Sequence, residues 1–154
     1  RFGELFDYVI QENDFSACGL VYRDDELTVS AYAKMPESGG ILFGEHIRVA
    51  LMGGLSVQDN LLTFPLMIQT AEGVELPYSL AVHVDGINPA MEQLDTYLPH
   101  DGARCEFVRI DISRLIAGEY TVLVTVYSQQ TGERLPVVGA ETSLERAILG
   151  VVIK

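Results

Sequence analysis

The chain contains no tryptophan, only two cysteines, and ten basic residues against 22 acidic ones. Each scarcity excludes something. A net charge of −12 removes the Lys and Arg surface that displaces counterions from a phosphate backbone, so nucleic acid is not an expected partner. Anionic membrane surfaces are disfavoured for the same reason. Two cysteines far apart, Cys18 and Cys105, match no zinc or redox spacing. They are either one long-range disulfide, if the chain works outside the cytoplasm, or two buried thiols. No apolar run reaches the roughly 18–20 residues that a membrane-spanning helix requires; the longest, from Leu115 to Val126, is interrupted by Gly118 and Glu119. The chain opens on Arg1 with neither Met nor a signal-peptide pattern, which fits a piece of a longer protein.

What is present is a folding domain. Hydrophobic residues make up 48% of 154 positions, enough for a core. Val, Ile, Leu, Thr and Tyr are plentiful, the types that suit a pleated, half-buried surface. At the start, Phe2, Leu5, Phe6, Val9 and Ile10 recur at helical spacing, which predicts a short amphipathic helix. Ala17 to Tyr22 and Leu27 to Ala33, joined by Arg23-Asp24-Asp25-Glu26, predict a hairpin. The acidic turn reads as a solvated turn rather than a calcium or acid–base site, since turns favour Asp and neighbouring carboxylates repel. Met35 to Gly40 reads as a linker, giving an N-terminal helix-and-hairpin appendage over residues 1–40 and a main domain over 41–154.

Beyond the linker the alternation has period two. It runs through Ile47–Val49–Leu51, Leu62–Phe64–Leu66–Ile68, Tyr78–Leu80–Val82–Val84, Val108–Ile110–Ile112 and Tyr120–Val122–Val124–Val126, and an apolar segment from Ile148 to Ile153 follows. Pro65 has no donor for a ladder, so its strand is expected at an edge or with a bulge. These strands predict a mostly β fold: an antiparallel two-sheet sandwich of the jelly-roll or immunoglobulin-like kind. The stretch from Gly86 to Arg104 reads as a long irregular loop of the sort that carries function or crosses between sheets.

The chain has no phosphate-cradling loop, no Gly-x-Ser-x-Gly elbow and no nucleophile beside a base, so it is not expected to be an enzyme. His83 and Asp85 share a strand face, but a third metal ligand is lacking, and neither a metal nor another cofactor is expected. The acidic loop holding Glu92, Asp95, Tyr97 and Asp101 is the candidate ligand site. Sugar hydroxyls need acceptors and sugar rings need flat apolar platforms, which carboxylates and a tyrosine supply.

One resemblance extends this reading. Phe43-Gly44-Glu45-His46-Ile47-Arg48, Leu62 to Gln69, Tyr78 to Asp85, Gly118-Glu119-Tyr120-Thr121-Val122, Val126-Tyr127, Thr131-Gly132-Glu133-Arg134-Leu135-Pro136-Val137 and Leu149-Gly150 occur in order. Together they resemble the C-terminal extracytoplasmic β-sandwich domain of bacterial protein O-mannosyltransferase-like membrane glycosyltransferases, over Leu42 to Lys154. The resemblance implies attachment to the outer face of the membrane through an N-terminal region not in this chain. It also implies an accessory role: binding glycan or acceptor, or bracing the membrane part of the parent protein. It carries over no catalytic residue. The alternative is a secreted or cell-surface interaction module whose sheet edges pair with a protein partner.

Overall fold

The computed structural model describes residues 16–23, 28–36, 39–74, 77–86, 92–98, 102–139 and 145–154. The expected helix over Phe2–Ile10 lies outside the described residues. Eleven strands and no helix occur among those described: β1 (Ser16–Arg23), β2 (Thr28–Ala33), β3 (Ile41–Phe43), β4 (Ile47–Leu51), β5 (Ser56–Gln58), β6 (Leu61–Thr70), β7 (Tyr78–Gly86), β8 (Glu92–Tyr97), β9 (Gly102–Asp111), β10 (Glu119–Ser128) and β11 (Ala147–Ile153). All strand pairings are antiparallel. β1 and β2 form a two-stranded sheet, and β8, β7, β10 and β11 form a four-stranded one. In the five-stranded sheet β6 is central, with β9 along one side and β4 and β5 in succession along the other.

The alternation in the sequence decides which side of each strand is buried. Leu62, Phe64, Leu66 and Ile68 of β6 join Leu80, Val82 and Val84 of β7 and Val122, Val124 and Val126 of β10 in one apolar cluster. The cluster therefore draws on both larger sheets. Cross-strand pairs stack it directly: Val84 opposes Val122, Val82 opposes Val124 and Leu80 opposes Val126. Burying each such side chain contributes about 1.5–3 kcal/mol. Tyr120 closes one end of the cluster. Its hydroxyl donates to the Ile116 carbonyl at 2.8 Å, which satisfies the polar tip of a buried ring. The ring lies on Gly86, its cross-strand partner; a Cβ there would stand 2.5 Å from the ring.

Two expectations change. Pro65 lies not on an edge strand but in the central β6. The Met52 N–H donates to the Pro65 carbonyl at 3.0 Å, and the reciprocal bond is the one a proline cannot give. β4 has ended at Leu51, and β5 resumes the pairing with Ser56 opposite Thr63. The missing donor thus falls at the junction between two flanking strands, so the edge moves to the proline rather than the proline to an edge.

The stretch from Gly86 to Arg104 is not one long loop. Glu92–Tyr97 pairs with β7 as an edge strand, and β9 begins at Gly102. Its Glu-Gln-Leu-Asp-Thr-Tyr sequence lacks the apolar alternation of the inner strands because an edge strand needs less burial. The apolar end of the chain forms the expected strand, β11, and is only partly buried. Val152 is buried, whereas Ile148, Val151 and Ile153 are exposed along the edge strand β11.

On the outer side of the five-stranded sheet, Ala50, Met67 and Cys105 form a second buried cluster, with Met35 and Met52 packed against it. Cys105 is disulfide-bonded, and the sequence holds one other cysteine, Cys18, on β1. β1 lies beside β9, the strand that carries Cys105.

Candidate functional site

The outer side of the four-stranded sheet is built differently. Most of the residues that alternate with the core positions are small or polar, and the register sets them in rows across β10, β7 and β8. Tyr127, Ser79 and Tyr97 make one row, Thr125, Ala81 and Asp95 the next, and Leu123, His83 and Gln93 the third. Ser79, Ala81, His83 and Thr125 are all buried. The small side chains of Ser79 and Ala81 leave a low floor that larger neighbours overhang.

Over this floor lies a cleft of about 370 Å³ lined by Ser79, Asp95, Thr96, Tyr127 and Gln129. The Tyr127 hydroxyl donates to Asp95 Oδ1 at 3.1 Å, spanning from β10 to β8 across β7. Gln129 Nε2 donates to Ser79 Oγ at 3.0 Å and to the Tyr78 carbonyl at 3.1 Å. The turn that places Gln129 is itself tied down. Ser128 Oγ accepts from the N–H groups of Gln130 and Thr131, and the Gly132 N–H donates to the Ser128 carbonyl at 2.9 Å. The cleft therefore presents a carboxylate, a phenol, a carboxamide and a hydroxyl, oriented by one another before any ligand arrives. Its volume is at the small end of the roughly 300–1,000 Å³ range of ligand sites.

One row away, a charged group borders the cleft. The Thr125 hydroxyl donates to the Glu145 carbonyl at 2.5 Å. Arg146 Nη1 lies 3.4 Å from Asp85 Oδ2, and Arg134 Nη1 lies 3.8 Å from Glu145 Oε2. His83 sits among them with neither ring nitrogen hydrogen-bonded to a described residue, and Asp85 Oδ1 is likewise without a partner. Burial first, and the Arg146 charge second, hold the His83 pKa below its ordinary value of 6.5, while Asp85 acts in the opposite direction.

Of the residues singled out in the sequence, Asp95 lines the cleft. Glu92 and Tyr97 lie on the same strand, opposite Val84 and Ser79 in the register. Asp101 is outside the described residues. Sequence reasoning missed Ser79, Tyr127 and Gln129. The signal for Tyr127 was its outward phase in the β10 alternation, one residue after Val126. Ser79 had the same outward phase on β7, and the register that unites them with Asp95 is a tertiary fact. His83 and Asp85 do share a face, and no cluster of three or more potential metal ligands occurs among the described residues. No protein-family model, no curated protein and no solved structure matches the chain.

Proposed function

We propose that this chain is a non-catalytic, extracytoplasmic β-sandwich domain that binds carbohydrate in the Asp95–Tyr127–Gln129 cleft. The observation that carries this reading is the cleft's chemistry: a carboxylate, an amide and hydroxyls converge beside a tyrosine ring over a floor of small residues. Sugar hydroxyls are bound by such paired donors and acceptors, and a ring face covers their apolar C–H surface. The disulfide at Cys105 supports an oxidising compartment. The two sheets facing one core support the sandwich, of jelly-roll or immunoglobulin-like type. The sequence resemblance from Leu42 to Lys154 supports an accessory role beside a membrane glycosyltransferase, with glycan or acceptor as the ligand.

A glycan array probed with the isolated domain, with and without calcium, tests this. Binding to a defined sugar class that weakens about tenfold in Asp95→Asn is the expected result, since a charge-assisted hydrogen bond contributes about 1.5–3 kcal/mol. A clean negative array discards the binding reading and leaves bracing of the parent protein.

The second reading, a protein-interaction module, has one observation in its favour. β11 is an edge strand carrying exposed Ile148, Val151 and Ile153, and unpaired edges accept partner strands. Loss of a partner's binding on Val151→Lys, with the array negative, would select it.

A further inference from the structure

We propose that His83 and Asp85 form an acid-sensitive latch that sets how firmly Glu145–Arg146, the entry to β11, is held on the outer face of the four-stranded sheet. The inference does not depend on the identity of any ligand.

The geometry is unusual in one respect. A histidine only 4% exposed has two ring nitrogens and no hydrogen-bond partner for either among the described residues. Two positions along the same strand face, Asp85 Oδ1 is also buried and unpartnered, while Oδ2 of the same carboxylate takes Arg146. Buried polar atoms are normally satisfied, because an unpaired one has lost its water without gaining a partner. Unpaired atoms on two adjacent side chains of complementary chemistry are therefore poised to join.

Among the described residues, four charged groups act on His83. β7 contributes Asp85, β8 contributes Asp95, the segment after β10 contributes Arg134, and the entry to β11 contributes Arg146. β10 contributes uncharged Leu123 as the register partner. At neutral pH the imidazole is uncharged, and Arg146 has the Asp85 carboxylate without a competitor. When the imidazole takes a proton from solvent, both ring nitrogens become donors. The buried cation needs an acceptor, and Asp85 Oδ1 is the one its own strand supplies. Arg146 then shares its carboxylate with a second cation and feels that cation's repulsion. Its contact is long, at 3.4 Å, and its side chain is 37% exposed, so water can take it over. His83 has no such escape. Arg146 is the partner that leaves, and Glu145–Arg146 is then held by the Thr125 bond and the 3.8 Å contact to Arg134. Thr125 and Asp95 share a row, so the change reaches the rim of the cleft.

The experiment follows the His83 ring by NMR between pH 8 and 5 and, in the same samples, the hydrogen-exchange protection factors of the Ala147 and Ile148 amides. The expected result is a His83 transition below pH 6.5, with protection at Ala147 and Ile148 falling about threefold to tenfold at the same midpoint. Amides of β6 and β9 should not change. Arg146→Gln should show the low protection at every pH. His83→Gln should show the high protection at every pH; if that variant does not fold, Asp85→Asn should remove the pH dependence instead. Protection that stays flat to pH 5 while His83 titrates would overturn the proposal. So would a fall that persists unchanged in a variant lacking His83 or Asp85.

Discussion

The outer faces of the two larger sheets descend from the same alternation, yet they differ in kind. On the five-stranded sheet the residues out of phase with the core include Ala50, Met67 and Cys105; they are apolar, and the hairpin packs there with a disulfide at Cys105. On the four-stranded sheet the corresponding positions are Ser79, His83, Thr125 and Tyr127, and the result is a polar cleft with a charged border. Core positions report the fold; the residues between them report what the outside of each sheet must meet. An apolar outer face acquires a cover from the chain itself. The polar one is covered in part by Glu145–Arg146, bound to Thr125 and Asp85, and keeps the Asp95–Tyr127–Gln129 cleft beside that cover.

The largest expected effect removes the frame on which both faces rest. Val122 is fully buried in the shared core, and Val122→Asp leaves an unpaired charge there. A loss of several kcal/mol, enough to unfold the domain, is expected. Circular dichroism decides it, and a wild-type melting curve would place Val122 outside the core. Next, reducing the disulfide should separate the faces. A loss of about 2–4 kcal/mol, or roughly 5–15 °C in Tm, is expected. Exchange protection should fall in β1 and β9 before it falls in β7 and β10. Equal loss on both sheets would mean the two faces are one cooperative unit.

A smaller effect comes from Gly86→Ala. The added methyl meets the Tyr120 ring at a distance real contacts do not reach, and overpacking of this sort costs about 1–3 kcal/mol. A neutral outcome in chemical denaturation would show that the ring moves freely. The smallest expected effect is the pH dependence of stability from His83. Its folded pKa lies below 6.5, so as pH falls through 6.5 the unfolded chain takes up a proton that the folded chain refuses. Stability should therefore decline from pH 6.5 downward and be flat just above it. The His83→Gln variant should lose that component of the slope. Unchanged pH dependence in the variant would assign the slope to carboxylates instead.

The inner strands were legible because their alternation is unbroken: Leu62 to Ile68, Leu80 to Val84 and Tyr120 to Val126 enter the core as their spacing implies. β8 was not, because Glu92–Tyr97 is an edge strand whose pairing is supplied by β7 rather than by its own apolar content. Pro65 misled for a related reason. The rule about its missing donor held, but the sheet met it by exchanging β4 for β5 at that point. Ile148 to Ile153 was legible as a strand, but not which of its side chains are buried, because hydrophobicity alone cannot distinguish a buried strand from an apolar edge. The site was legible only at Asp95. Ser79, Asp95 and Tyr127 are far apart in sequence, and what joins them is the order β10–β7–β8, which no local pattern encodes.

The proposed carbohydrate site on the polar outer face can be mapped by amide chemical shifts with the best ligand from a glycan array. Saturable shifts at Ser79, Asp95, Thr96, Tyr127 and Gln129 are expected, weakened about tenfold in Asp95→Asn. Shifts confined to the β11 edge or to the hairpin face, or no saturable shifts with any glycan, would contradict it.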